Sequence, residues 1–301
     1  MSYYSGTATS LTALRDALLT HAQADGWVLT GNVLSKAGVY FNIGLTTLNI
    51  TCLGCVDNAG SSPAPGVVSI GRVWSATGYP TCEISFPCNY EVFGFAQELY
   101  FVVNYDTDNY QWMAFGKSTV QGLSGQGGWC GATTKEAMVG SGGNIGPIYI
   151  TPTGGGRGYW EETAGALFWA TLLTNSAAKN CWVNHGLDGL GWNYSTTNYY
   201  PIGIRHNNLL TMQPSVWNGE AVLLPLQCFI ERGAYKSSLV ADLEHARHIR
   251  IDNLTAGSIL TLGSDKWKVF PWLKKDATAR DGGLSVRHTG TFGWAVRYEG
   301  P

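Results

Sequence analysis

"LYFVVNYDTDNYQWMAFGKS", Leu99–Ser118, is the stretch that decides the fold of this chain. Two aromatic and β-branched runs flank a polar break, Asp106-Thr107-Asp108-Asn109. Such runs favour strands, and Asp and Asn suit the turn because their side chains bond nearby backbone and tolerate left-handed angles. The stretch therefore reads as a β-hairpin. A four-residue loop sets Tyr105 opposite Tyr110, Val103 opposite Trp112 and Phe101 opposite Ala114 on one face. It sets Asn104 opposite Gln111, Val102 opposite Met113 and Tyr100 opposite Phe115 on the other. A hairpin with one solvated face alternates apolar and polar residues. Here alternation holds only near the turn, so the far end must be covered on both sides, in the middle of a folded domain.

Composition points the same way. Of 301 residues, 45% are hydrophobic, enough to bury a core. Only 13% are charged, against about 25% in an average soluble domain. There are 39 Gly, 12 Trp and 15 Tyr, as expected for many strands joined by glycine-rich turns. Disorder would pair low hydrophobicity with high charge. A surface poor in charge and rich in aromatics suits protein–protein contact. The net charge is −2, and no basic stripe drives phosphate binding, so no nucleic-acid partner is expected. The one compact basic cluster, Lys266, Lys268, Lys274 and Lys275 around Trp267 and Trp272, reads as a solvated strand edge.

The opening "MSYYSGTATS" lacks the basic start and apolar core of a secretory signal. No apolar run reaches the roughly 20 residues of a membrane span. The expectation is synthesis in the cytoplasm with no membrane span. Seven cysteines are present: Cys52, Cys55, Cys82, Cys88, Cys130, Cys181 and Cys228. Cys52-Leu-Gly-Cys55 has zinc-like spacing, but the five residues between Cys82 and Cys88 suit a four-thiolate site poorly. Most of these cysteines sit in apolar runs, where a reduced thiol behaves as a small hydrophobe. The expectation is reduced thiols, with no metal and no cofactor.

Ser10–Asp25 reads as an amphipathic helix, with Leu11, Leu14, Leu18 and Ala22 at helical spacing, Ser10 as its cap and Gly26 after its end. Strands are expected over Trp27–Leu29, Val39–Leu45, Asn49–Gly54, Val67–Trp74 and Cys82–Pro87. Ser237–Ala246 reads as a short helix, and an antiparallel meander closes the chain. The expected fold is mainly β with a few helices (α+β). Antiparallel sheets form a sandwich-like body with an N-terminal helix and a glycine-rich protruding lobe. Three units are expected: 1–121, the helix and β body; 122–234, the glycine- and aromatic-rich inserted lobe; and 235–301, a meander packed on the first.

No catalytic constellation is legible. His245 and His248 lie three apart without the H-E-x-x-H that would bind zinc, and read as surface or interface groups. Glu161-Glu162 follows Tyr159-Trp160 as in a sugar-cleaving site, but no second carboxylate can be placed at working distance. The glycine runs "GQGGWCG", "GSGGNIG" and "GGGRG" lack the strand–loop–helix phosphate motifs. The candidate contact residues are instead aromatic: Trp160, Trp169, Trp182, Trp192, Tyr194, Tyr199 and Tyr200. Flat rings with amide neighbours suit a receptor, a glycan or a neighbouring subunit. The alternative is that these rings form the segment's own core.

The hairpin "YFVVNYDTDNYQWMAFGKS" (Tyr100–Ser118) resembles one in structural proteins of the tail module of tailed bacteriophages. The opening "YYSGTATSLTALRDALLTHAQADGW" (Tyr3–Trp27) and the closing "GSDKWKVFPWLKK…HTGTFGWAVRYEG" (Gly263–Gly300) resemble the ends of the same proteins. The resemblance implies a virion component at the baseplate or tail tip, assembled in the host cytoplasm with other tail proteins. It implies self-association, three- or six-fold about the tail axis, and a share in host attachment. It carries over no catalytic residue. Two other readings stand beside it: a carbohydrate- or receptor-binding module without a scaffold role, and a tail-associated glycan hydrolase.

Overall fold

The computed structural model describes residues 1–73, 82–135, 167–168, 180–189, 191–192, 199–201, 221–232, 236–276 and 292–301. The hairpin lies at the centre of a six-stranded antiparallel sheet. Its order is β1 (Ser2–Ala8), β8 (Cys88–Gly94), β9 (Glu98–Asp106), β10 (Asn109–Lys117), β11 (Gly128–Ala132) and β13 (Cys181–Val183). Both faces of this central sheet are buried. Val92, Leu99, Phe101, Val103, Met113 and Phe115 enter one core, and Phe93, Tyr100, Val102, Trp112, Ala114 and Trp129 enter another.

The first core is closed by helix α1 (Leu11–Ala24) and a seven-stranded N-terminal sheet. The order there is β12 (Thr134–Lys135), β6 (Val68–Val73), β5 (Asn49–Cys55), β4 (Val39–Leu45), β3 (Val33–Lys36) and β2 (Val28–Thr30), with β7 (Cys82–Glu83) on β6. The second core is closed by a six-stranded C-terminal sheet: β14 (Tyr199–Pro201), β15 (Leu224–Arg232), β16 (Lys236–Arg250), β19 (Phe292–Arg297), β18 (Asp265–Pro271) and β17 (Ile259–Leu262). The molecule is thus a mainly β stack of three antiparallel layers. Trp112 of the central sheet meets Trp272 and Trp294 of the third layer at centroid distances of 5.7 and 5.4 Å. Aromatic pairs in such geometry add about 0.5–1.5 kcal/mol beyond their buried area.

The helix forms where expected. Ser10 caps it, its hydroxyl accepting the Ala13 N–H at 3.1 Å, and Leu14, Leu18 and Ala22 turn inward. The hairpin register differs from the expected one by one residue. Asp108 takes a left-handed φ of +61°, so Thr107 and Asp108 alone make the turn and Asp106 pairs with Asn109. Tyr105 then bulges, and Trp112 faces Val102 while Met113 faces Phe101. The Asn104 amide holds the bulge by donating to the carbonyls of Asp106 (2.9 Å) and Asn109 (3.1 Å). A one-residue slip exchanges the partners' faces, but both faces here are apolar, so pattern alone did not specify the register.

One further expectation is corrected. Ser237–Ala246 is not a helix but part of the 15-residue strand β16. Of the segment 122–234, the described strands belong to the three sheets: β11 and β13 extend the central sheet, β12 joins the N-terminal sheet and β14 and β15 the C-terminal one, and the rest of the expected lobe lies outside the described residues. The opening and closing segments meet directly, Tyr3 packing edge-on against Tyr298 at 5.0 Å, and the hairpin joins the closing segment through the Tyr110 N–H, which donates to the Leu273 carbonyl at 2.6 Å. Two members of the basic cluster turn inward, while Lys266 stays exposed. Lys268 pairs with Glu91 of the central sheet, and the buried Lys275 donates to the carbonyls of Ile251 (2.6 Å) and Asp252 (2.9 Å). Six cysteines (Cys52, Cys55, Cys88, Cys130, Cys181 and Cys228) are buried and form no disulfide among the described residues. Burial pushes Cys55 and Cys88 up to about 11.

A buried amide joins the first two layers. Gln111 of β10 donates from Nε2 to the Gly71 carbonyl (3.0 Å) and accepts the Gly71 N–H at Oε1 (2.8 Å). Gly71 has φ +130°, and a Cβ there would stand 2.3 Å from the Leu48 carbonyl oxygen. Gln111→Leu orphans the Gly71 N–H and is expected to cost about 2 kcal/mol. Gly71→Ala, which adds backbone strain and a clash, should cost at least as much. Urea unfolding midpoints test both, and unchanged midpoints would contradict this view of the layer contact.

Candidate functional site

Strands β15 and β16 pair out of step. Leu226 faces Leu243, but its neighbour Pro225 faces Arg247. Glu244, His245 and Ala246 are therefore extra residues, bulged out of the ladder. Proline has no N–H to offer a partner strand, which is why the ladder breaks at Pro225. Bulges of this kind re-aim side chains, and here the bulge turns His245 toward the central sheet.

The bulge is satisfied from both sides. Glu98 opens β9 and is 2% exposed. Its Oε1 accepts the Glu244 N–H (3.1 Å), and its Oε2 accepts the His245 N–H (3.2 Å), His245 Nδ1 (2.8 Å) and the Tyr100 hydroxyl (2.9 Å). On the carbonyl side, Arg247 Nη1 donates to Leu243 (2.8 Å), Glu244 (2.8 Å) and Ala246 (2.7 Å). The Arg247 guanidinium also lies 5.2 Å from the Trp267 ring centroid. Burial first, and then the adjacent Glu98 carboxylate, push the Tyr100 hydroxyl well above its ordinary range, so it acts as a donor to Glu98. Glu98 faces Gly116 across the hairpin, and a Cβ on Gly116 would stand 2.9 Å from Glu98 Cα. Only glycine lets the backbone approach this closely.

A carboxylate accepts and does not donate, so in this pair His245 Nδ1 is the donor. The imidazole lies flat on Phe95, 3.9 Å between centroids with planes 18° apart. One bond and one stacked face thus fix the ring. Beside it opens a cleft of about 620 Å³ walled by Gly38, residues 96–98, 117–123 and 125–127, Glu244 and His245. The loop forming most of the wall is pinned by Ser118, whose hydroxyl oxygen accepts the N–H groups of Val120 (3.1 Å) and Asp242 (3.2 Å). Gln126 Nε2 donates to the Val56 carbonyl at 2.7 Å. Its Oε1 is buried and meets no donor among the described residues. Among those residues no group of three His, Cys, Asp or Glu side chains is arranged to hold a metal.

Of the aromatic candidates, Trp182 and Trp192 do not line this cleft. Trp182 and Trp192 are buried, 4% and 6% exposed, in the core between the N-terminal and central sheets. The Trp192 ring occupies the space above Gly54, where a Cβ would come within 2.3 Å of it. These two are core residues and not exposed contact faces, for the physical reason that glycines at Gly54 and Gly66 leave room for the indoles. Tyr199 and Tyr200 lie on β14, the edge strand paired with β15. Trp160, Trp169 and Tyr194, like Glu161 and Glu162, lie outside the described residues. His248 is buried at 2%, with its ring 5.6 Å from Trp272, and so is not a surface group. Glu98 and His245 were not singled out together because 147 positions separate them. The available signal was a carboxylate at the head of an otherwise apolar strand.

Neither protein-family models nor curated proteins give a match to this chain.

Removing the Glu98 carboxylate leaves two partly buried backbone N–H groups, the buried Tyr100 hydroxyl and His245 Nδ1 without their acceptor. Glu98→Ala is expected to lower stability by about 3 kcal/mol or more. Glu98→Gln keeps one oxygen acceptor and should lose less. The comparison is made by urea unfolding, and equal stability of wild type and Glu98→Ala would refute the role assigned to this carboxylate.

Proposed function

We propose that this chain is a non-enzymatic structural component of a bacteriophage tail, at the baseplate or tail tip, present in several copies about the tail axis. One observation carries the reading. The three stretches that resemble tail-module proteins are far apart in sequence, yet they pack on one another. The opening stretch supplies Tyr3, which rests on Tyr298 of the closing stretch. The hairpin's Tyr110 and Asp108 bond to the backbone of Leu273 and Lys275 in that same closing stretch. Three independent accidents of sequence have no reason to meet in one body, whereas one inherited structural unit does.

The architecture is also consistent with a passive mechanical part. A sheet covered on both faces is stiff, and the buried carboxylate Glu98 spends its acceptor capacity on the protein itself. Self-association fits closed symmetry about an axis, three- or six-fold. Among the described candidates for subunit or receptor contact, Tyr199 and Tyr200 stand on an edge strand. A free-standing carbohydrate module built on the middle tryptophans has less support, since Trp182 and Trp192 are buried. The hydrolase reading rests on Glu161 and Glu162, outside the described residues.

Antibody labelling and electron microscopy test the proposal. Labelled particles should carry the chain at the tail end, and particles made without it should have absent or malformed tail ends. Normal tails with normal infectivity in its absence would overturn the reading.

A further inference from the structure

We infer that one flank of the three-layer stack is the interface of a two-fold dimer, in which β17 pairs antiparallel with the β17 of a second copy. The inference goes beyond the tail reading and does not depend on it. It starts from the edges of the three sheets. Proteins blunt an open edge with a charge, a proline or a cover, because its unpaired N–H and C=O groups template another strand. One edge of each sheet is blunted in this way: β12 carries Lys135, β13 is buried along its whole length, and β14 ends in Pro201. The opposite edge of each sheet is not. β17 (ILTL), β1 (SYYSGTA) and β2 (VLT) hold no charge and no proline, and each runs in unbroken register with its neighbour. Large apolar side chains stand open there, with Val28 60%, Ile259 46% and Leu262 40% exposed. The three edges lie together. Lys268, which faces Ile259 from β18, reaches Glu91 of β8 and lies 5.3 Å from the Tyr3 ring of β1. Asp25, just before β2, accepts the Tyr4 hydroxyl of β1 at 3.3 Å.

The direction of the free groups on β17 follows from its pairing with β18. The Val269 N–H donates to the Ser258 carbonyl at 2.9 Å, and antiparallel ladders alternate bonded and non-bonded pairs. The backbone groups of Leu260 and Leu262 therefore turn toward β18, and those of Ile259 and Thr261 turn outward. No second strand among the described residues pairs with β17. A second copy fits this edge. With Leu260 opposite its own counterpart at the two-fold axis, Ile259 lies opposite Thr261 of the second copy. The two exchange both of their hydrogen bonds, and symmetry repeats the pair, so every outward group of Ile259 and Thr261 is used. The Leu260 and Leu262 side chains of both copies then form one apolar row, and no like charges stand opposite one another along the strand. The nearest charge, Asp265, is held by Arg297 at 3.0 Å. A four-residue strand is by itself too small for a stable interface of roughly 1,200–2,000 Å². An axis normal to the layers also turns β1 and β2 toward their counterparts in the second copy, which no single extended peptide matches. Such isologous contacts are the commonest way a chain associates with itself.

Sedimentation velocity on the full chain is the test. A dimer should form reversibly as the concentration rises. Thr261→Pro removes one outward N–H and sets a ring in the path of the partner strand, a change that an edge strand itself tolerates. It should weaken the dimer about thirtyfold, the equivalent of the two hydrogen bonds lost across the axis. Leu260→Cys places two thiols across the axis at the roughly 4.5 Å Cα separation of a non-bonded pair, which a disulfide can span. With oxidised glutathione it should cross-link into a covalent dimer, whereas the wild type and Thr255→Cys, exposed before the strand, should not. Near-UV circular dichroism checks that each variant is folded, and the cross-link keeps the test decisive should Thr261→Pro unfold. A chain that stays monomeric at every concentration, open-ended aggregates, an unchanged dimer in folded Thr261→Pro, or no cross-link in Leu260→Cys would each overturn the inference.

Discussion

A β-sheet in water can leave one face wet only if that face is polar. The hairpin of β9 and β10 has no such face: Phe101, Met113 and Phe115 look one way, and Tyr100, Val102 and Trp112 the other. Burial of large apolar side chains is worth about 1.5–3 kcal/mol each, so leaving either face open would expose an aromatic surface of the kind that drives association. Two covering layers are therefore required, and the chain provides one before the hairpin and one after it. The N-terminal sheet and α1 cover the first face. The C-terminal sheet, with Trp272 and Trp294 over Trp112, covers the second.

Apolar cover alone does not fix how layers sit on one another. The polar links between them do, because a buried polar group without its partner is costly. Gln111 clasps the Gly71 peptide between the first and second layers. Glu98 accepts the N–H groups of the β16 bulge between the second and third. Glu91 pairs with Lys268 across the same interface, with Tyr3 donating to Glu91 at 2.8 Å. Each link ties a defined residue to a defined backbone position or charge, which a sliding apolar contact cannot do. The cleft beside His245 follows from this arrangement, since it forms where the third layer bulges toward the carboxylate of the second.

Several elements were legible in the sequence because their signals are local. The helix from Leu11 shows in its leucine spacing and its serine cap, the hairpin in its paired aromatic runs, and β4 in the alternation of Val39–Leu45. The two-sided burial of the hairpin was also legible, from its lack of a polar face. What was not legible depends on distant partners. The hairpin register turned on one left-handed residue, Asp108. The "SLVADLEHA" of strand β16 carries good helix formers and reads as a helix, and its pairing with β15 and β19 overrides that local preference. The middle tryptophans pointed equally to a binding face or a core, and only the glycines beneath Trp182 and Trp192 decide for the core. The Glu98–His245 pair cannot be read at all without knowing that β9 lies under the bulge of β16.

The central claim is that β9 and β10 form a middle layer protected on both faces. Native-state hydrogen–deuterium exchange tests it most directly, because exchange from a core strand requires opening of free energy near that of global unfolding. The amides of β9 and β10 should be the slowest in the chain, and those of the edge strands β2 and β17 should exchange through far smaller openings. Exchange in β9 and β10 as fast as in β2 and β17 would contradict the three-layer arrangement.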